Sequence, residues 1–178
     1  AAQKIESIAM MPMMSFGIAI AAYAAQNYGA QKFLRIGEGV RKCSYMSLSF
    51  SIIVGVALIF FSPALLGLFV GDAEGAADVI SYGHEYLIVN GSMYWVLSML
   101  FIFRSTLQGL GQSVVPTVAG VMELVMRTAA AFFLVGWVGY LGACLANPMA
   151  WIGSCVPLTI AFFWTWRGFK KRVDLETV

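Results

Sequence analysis

Apolar residues along the chain fall into long stretches that are separated by short polar loops. The five stretches cover residues 5–27, 44–66, 82–103, 115–137 and 142–166. About 20 apolar residues at 1.5 Å per residue cross a hydrocarbon core of roughly 30 Å. The pattern therefore predicts an all-α, polytopic membrane protein, a bundle of five transmembrane helices.

The basic residues of the loops indicate how this bundle is oriented. Eight of them lie between the first two spans or after the last one: Lys32, Arg35, Arg41, Lys42, Arg167, Lys170, Lys171 and Arg172. Arg104 is assigned to a loop on the same side, and the opposite loop at 67–81 has acidic residues but no Lys or Arg. Cytoplasmic loops carry an excess of Lys and Arg. We therefore predict a multi-pass protein of the cell membrane with a cytoplasmic C-terminus.

Composition supports the membrane class and argues against several functions. Of the 178 residues, 60% are hydrophobic and 11% are charged, against about 25% charged in a soluble domain. The net charge is only +2, and no basic stripe predicts a nucleic-acid partner. One His and three Cys without paired spacing suggest neither a metal site nor catalytic residues. We therefore expect no cofactor and no enzyme.

Two charged residues lie well inside the fourth predicted span. Glu123 and Arg127 are four residues apart, so they share one helix face and can neutralise each other. A charge near the bilayer centre costs about 2.5–3.5 kcal/mol on insertion scales, so this face should point into the bundle. Two interpretations stay open. The pair is either a static ion bridge between helices or a proton or cation site in which Arg127 tunes Glu123.

Polar and thioether side chains in two other spans are candidates for lining a substrate cavity. Four polar residues recur every fourth position in the third span, which predicts a stripe on one helix face: Tyr86, Asn90, Tyr94 and Ser98. Aromatic rings with hydroxyls suit a greasy organic cation, although packing between helices is the alternative. Met11 and Met14 in the first span could line the same cavity, because thioethers adapt to varied apolar partners.

Two predicted cytoplasmic turns carry short motifs that resemble those of a known family. Gln26-Asn27-Tyr28-Gly29-Ala30, followed by Arg35, resembles the "QNxGA" loop of MATE transporters, the multidrug and toxic compound extrusion family. The second turn, with Gly109, Gly111 and then Pro116 at the start of a helix, is similar to the "LRGxGD…P" turn of that family. The order and spacing of helices are similar over nearly the whole chain.

The resemblance implies a twelve-helix transporter in which two six-helix lobes face a central cavity. Residues 1–178 would be most of the C-terminal lobe, corresponding to helices 8–12, with the N-terminal lobe absent. The resemblance also implies export of multiple drugs or cationic organic compounds in exchange for H⁺ or Na⁺. It does not say which of the two ions is used. The partners would be the lipid bilayer, a small organic substrate and the missing lobe.

The chain departs from the family pattern at three positions. Gln108 and Gln112 replace the usual Arg and Asp of the second turn, and Leu97 stands where some members carry an acid. The coupling ion therefore cannot be inferred from this lobe. A lipid-linked oligosaccharide flippase of the same superfamily and a structural membrane subunit remain alternatives. A flippase should have a basic cavity, whereas Arg127 is the only intramembrane base that the sequence predicts.

Overall fold

The computed structural model describes residues 2–71 and 75–176, with side chains described as far as residue 173. The described residues form six helices: α1 (Ala2–Gly29), α2 (Phe33–Val70), α3 (Ala76–Ser92), α4 (Tyr94–Gly109), α5 (Val114–Val138) and α6 (Tyr140–Glu176). Four of these helices, α1, α2, α5 and α6, are long and apolar enough to cross a membrane, and α3 with α4 forms a bent fifth span. The predicted five-span helical bundle is confirmed.

Two helices extend well beyond the apolar stretches that predicted them. Helix α2 begins eleven residues before the predicted span 44–66, and α6 continues ten residues past the span 142–166. Both extensions carry basic residues, which helices tolerate outside the hydrocarbon core. Lys42 forms an i,i+4 salt bridge of 2.7 Å with Glu38 on the α2 extension, a pairing that supports helix in water.

The third predicted span is not one helix, so the prediction of an unbroken helix over 82–103 is wrong. Helix α3 ends at Ser92, α4 begins at Tyr94, and their axes differ by 52°. Met93 lies between them with φ −107° and ψ 7°, outside the helical range. Because of this bend, α3 and α4 turn different faces toward the neighbouring helices.

Side chains near the break compete with the helical backbone. Asn90 donates to the carbonyl of Tyr86, and Ser92 donates to the carbonyl of Val89, and such bonds weaken a helix ladder. A Cβ on Gly55 of α2 would lie 2.5 Å from the Gly91 carbonyl oxygen. The break therefore lies beside a close approach of α2, and hydropathy alone does not reveal that contact.

One end of the bundle gathers the basic residues of the loops. Phe33 at the start of α2 stacks on Phe169 of α6, with ring centroids 4.9 Å apart. Gln112, just before α5, forms a hydrogen bond of 3.1 Å with Thr165 of α6. The starts of α2 and α5 and the end of α6 therefore meet, and the eight basic residues named above lie at this basic end.

Helix α5 is the least buried helix and packs mainly along α6. Only Pro116, Ala119 and Ala130 of α5 are buried, and a Cβ on Gly142 of α6 would overlap the backbone of Leu134. Helices α1 to α4 with α6 hold the main apolar core, which includes Met13, Leu87, Leu100, Trp151 and Leu158. A polar space remains where α5 stands away from this core.

Candidate functional site

A polar cavity of about 360 Å³ lies between α1, α3, α4, α5 and α6. Eleven residues line it: Gln3, Glu6, Ser7, Met10, Tyr86, Leu97, Phe101, Glu123, Arg127, Asn147 and Trp151. Helices supply all of these residues, so each position is fixed by packing rather than by a loop. The cavity brings together two carboxylates, one guanidinium and three aromatic rings inside an apolar bundle.

Glu6 is the most buried charged residue of the cavity. Glu6 is 6% exposed, and its Oε2 accepts a hydrogen bond of 2.6 Å from the Tyr86 hydroxyl. Its Oε1 has no hydrogen-bond partner among the described residues, and no salt bridge joins Glu6 to a described Lys or Arg. A buried carboxylate with one free oxygen is poised to receive a proton, a cation or a ligand donor.

Tyr86 links three helices at this cavity. Its hydroxyl donates to Glu6 of α1 and accepts a hydrogen bond of 2.9 Å from the Asn147 amide of α6. Because one hydroxyl serves as donor and acceptor together, its proton is committed to the carboxylate. The Glu6–Tyr86–Asn147 chain therefore orients the carboxylate without neutralising it.

Glu123 lies between two arginines. Arg127 donates to its Oε1 at 2.9 Å, as the i,i+4 spacing predicted, and Arg104 donates to its Oε2 at 2.8 Å. Arg104 also donates to Ser154 of α6 at 3.2 Å. The assignment of Arg104 to a loop is wrong: α4 continues past it to Gly109, and the carboxylate of Glu123 on α5 neutralises its charge. This network ties α4, α5 and α6 together.

The predicted polar stripe of the third span is divided by the helix break. Tyr86 lines the cavity, whereas Asn90, Tyr94 and Ser98 are fully buried beside it and do not line it. Ser98 forms a hydrogen bond of 2.7 Å with Ser47 of α2. The Tyr94 hydroxyl and the Asn90 Oδ1 have no partner among the described residues. Of the four, only Tyr86 lines the polar cavity.

The methionines of α1 also divide between two environments. Met11 and Met14 are 61% and 50% exposed and do not line the polar cavity, so their place in a substrate cavity stays a prediction. Met10 lines the cavity instead. The difference arises from helical phase, since residues next to one another in sequence point about 100° apart.

The first family motif forms a tight turn between α1 and α2. Ala30 N–H donates to the Gln26 carbonyl at 3.1 Å, and Lys32 N–H donates to the Asn27 carbonyl at 2.8 Å. The Asn27 amide, which is buried, caps the carbonyl of Tyr23 at 2.8 Å. Gly29 closes α1, and Arg35 is exposed on the first turn of α2. The motif is therefore structural at this turn, on the basic end.

The second motif forms a matching turn between α4 and α5. Gly109 lies against α1, where a Cβ would overlap the backbone of Ala21. Gly111 has φ +78°, a left-handed conformation that favours glycine. Pro116 lies in the first turn of α5, where its missing N–H costs nothing. Both motif turns lie at the basic end, outside the polar cavity.

Sequence reasoning missed Glu6, although a signal was present. Glu6 falls inside the predicted span 5–27, between Ile5 and Ser7, and an acid within a span is rare. Its burial depends on Tyr86 and Asn147, which lie 80 and 141 positions further along the chain, and no local pattern reports that contact.

Comparison with known proteins identifies the family of this chain. A sequence model described as MatE matches residues 1–133. The chain belongs to the MatE family. Two relatives of Bacillus subtilis, the probable multidrug resistance proteins YoeA and YpnP, are 24% and 23% identical over 173 and 172 residues. Each alignment covers 96% of this chain, and 36% and 38% of the respective relative.

Solved structures of MATE proteins share this fold. The chain superposes with a TM-score of 0.83 on a crystal structure of a MATE in complex with MaL6, at 17% identity over 96% of this chain and 38% of that one. An inward-facing multidrug resistance MATE transporter gives a TM-score of 0.79 at 17% identity, covering 96% and 39%. The MatE chain therefore spans a little over a third of the length of each protein it matches.

Proposed function

We propose that this MatE chain forms most of the C-terminal lobe of an ion-coupled exporter of cationic organic compounds. The lobe corresponds to helices 8–12 of a twelve-helix protein, and the N-terminal lobe completes the central cavity. The protein lies in the cell membrane with its C-terminus in the cytoplasm, as the cluster of basic residues at one end favours. Alternating access then follows from rocking of the two lobes.

One observation carries this proposal: the buried Glu6 carboxylate forms no salt bridge among the described residues, because Arg127, which lines the same cavity, donates to Glu123. A buried carboxylate without a salt bridge is costly inside a membrane, so a positive species beside Glu6 is favoured. A proton, a sodium ion or a cationic substrate can each fill this role. Because one carboxylate holds one of them at a time, binding of ion and substrate is mutually exclusive, which is the requirement for antiport.

The rings beside Glu6 favour a cationic, apolar substrate. Tyr86, Phe101 and Trp151 line the same cavity, and aromatic faces attract cations by about 0.5–2 kcal/mol each. Met10 adds a thioether that adapts to differently shaped ligands. A cavity with one free carboxylate and adaptable apolar walls suits several related compounds rather than one.

Glu123 has a different environment, and the second arginine favours its interpretation as an ion bridge. Two guanidiniums already bind both of its oxygens. A cation would have to displace one of them, at the cost of a charged hydrogen bond of about 1.5–3 kcal/mol. In our proposal Glu123 therefore holds α4, α5 and α6 together, and Glu6 exchanges ion and substrate.

The flippase alternative gains one argument from the structure. The expectation that Arg127 is the only base within the spans is wrong, because Arg104 lies in the same network. Both guanidiniums, however, donate to Glu123, so a lipid-linked pyrophosphate would have to compete with that carboxylate. This is why we place the exporter first and test the flippase as a separate outcome.

The proposal is tested by dye efflux from cells that express the chain with the coding sequence that adjoins it. We expect Glu6→Gln to abolish efflux while the amount of membrane protein is unchanged. Glu38→Gln is the matched control, because Glu38 is an exposed carboxylate at the basic end, and it should leave efflux intact. Vesicles with an imposed pH or sodium gradient identify the coupling ion. Normal efflux by Glu6→Gln would contradict the proposal, and transfer of lipid-linked sugars without dye efflux would favour a flippase.

A further inference from the structure

A second cavity, of about 690 Å³, lies at the basic end between α2, α4 and α6. Arg41 of α2 and Lys170 of α6 line its mouth, and Phe103, Phe162 and Trp166 line its wall. We call this cavity the basic-end groove. It shares no lining residue with the polar cavity that contains Glu6, so it is independent of the proposed exporter site.

The basic-end groove continues toward the membrane centre as an apolar crevice. A further cavity of about 420 Å³ between α4 and α6 shares Met99 and Phe103 with it. Along α6 the lining runs from Phe163 back to Ile152, eleven residues or about 16 Å of helix. This length matches one leaflet of a hydrocarbon core that is roughly 30 Å thick.

The aromatic wall at the mouth is built into the packing of α2. A Cβ on Gly37 would overlap the indole ring of Trp166, so the ring lies directly against the backbone of α2. Lys170 Nζ lies 5.8 Å from the centroid of the same ring, within range of a cation–π contact. The contact between Gly37 and the Trp166 ring therefore helps to position the Lys170 ammonium.

The mouth of the basic-end groove is positively charged. Glu38 also lines it, but Lys42 neutralises this carboxylate through a 2.7 Å salt bridge. Neither Arg41 nor Lys170 forms a salt bridge with a carboxylate in the part of the chain whose side chains are described. Two basic groups therefore remain to attract an anion at the point where an apolar crevice begins.

We propose that the basic-end groove binds an anionic phospholipid of the adjacent leaflet. Arg41 and Lys170 hold the phosphate and headgroup, and one acyl chain lies along the crevice between α4 and α6. The length of the crevice fits a chain of one leaflet, and the charge at its mouth repels the cationic compounds of the polar cavity. Anionic lipids are concentrated in the cytoplasmic leaflet, which is the side that the basic end is proposed to face.

Native mass spectrometry of the purified protein in mild detergent tests this proposal. With equal amounts of phosphatidylglycerol and phosphatidylcholine, we expect one phosphatidylglycerol to be retained in preference. Replacing both basic residues, Arg41→Gln with Lys170→Gln, should weaken its binding about 25-fold, or about fivefold per basic residue. The control Lys171→Gln with Arg172→Gln removes the same charge outside the basic-end groove, and it should change binding less than threefold.

A glycine pair gives a second test that leaves the net charge unchanged. Gly37→Ala should displace the Trp166 ring and lower phosphatidylglycerol retention severalfold, whereas Gly67→Ala, in open space on the same helix, should not. Equal retention of the two lipids, or equal loss in the Arg41/Lys170 and Lys171/Arg172 variants, would overturn the proposal. So would crosslinking at Phe163 to a part of the protein outside residues 1–178 or to a second copy.

Discussion

Arg104 is expected to stabilise the bundle more than Arg127, although both bind the same carboxylate. We compare the stability of the two variants Arg104→Gln and Arg127→Gln. Arg104 joins α4 to Glu123 of α5 and to Ser154 of α6, whereas Arg127 is on the same helix as Glu123. Loss of Arg104 therefore removes a contact between helices, and loss of Arg127 removes one within a helix.

Burial sets the expected magnitudes. The side chains of Arg104 and Glu123 are 25% and 19% exposed, and that of Arg127 is 44% exposed. Breaking a well-buried ion pair costs about 3–5 kcal/mol, and an exposed pair contributes about 0–1 kcal/mol. We expect a loss of about 2 kcal/mol for Arg104→Gln and less than about 1 kcal/mol for Arg127→Gln.

Thermal unfolding of the purified protein in detergent measures both effects. For a chain of this size, 1 kcal/mol shifts the unfolding temperature by about 2–4 °C, so Arg104→Gln should lower it by about 4–8 °C. Glu123→Gln combined with Arg104→Gln completes a double-mutant cycle, which should give a coupling of about 1–3 kcal/mol. Equal losses for the two arginine variants, or a coupling near zero, would refute the role of Arg104 as the link between helices.

Three further outcomes are expected. Gly109→Ala should destabilise the bundle by about 1–3 kcal/mol through a clash with α1. Gly120→Ala, in open space, is the control and should be neutral or stabilising. Similar unfolding temperatures for the two variants would contradict this. Tyr94→Phe should stabilise the protein by about 1 kcal/mol, because its hydroxyl lacks a partner among the described residues, and Tyr86→Phe should destabilise it. Lys171→Cys, in a cysteine-free background, should react with an impermeant maleimide only after cells are permeabilised, and labelling of intact cells would reverse the proposed orientation.

The sequence was sufficient for the features that depend on local periodicity and average hydropathy. Five apolar stretches predicted the spans, because each alone is long enough to cross the bilayer. The i,i+4 spacing of Glu123 and Arg127 predicted their salt bridge, since residues four apart are neighbours on a helix. The placement of Gly111 and Pro116 in a turn and a first helical turn followed from their backbone preferences.

The features that failed depend on contacts between distant segments. A stripe at every fourth residue assumes a straight helix, and the bend at Met93 separates Tyr94 and Ser98 from the α3 residues of the stripe. Asn90, on α3 with Tyr86, is buried as well. Arg104 was assigned to a loop because its partner lies on another helix. Glu6 was overlooked for the same reason. In a membrane bundle, hydropathy locates the helices, but the partner of each polar side chain depends on their packing.

The central claim is that ion and substrate compete for the Glu6 carboxylate, and the ion released on substrate binding measures this most directly. The protein, expressed with its adjoining coding sequence and purified in weakly buffered detergent, is titrated with a cationic dye while pH and sodium are recorded. We predict release of about one proton or one sodium ion per dye bound, and none from Glu6→Gln under conditions where that variant still binds dye. Dye binding without ion release by the unsubstituted protein, or the same release from Glu6→Gln, would contradict the account.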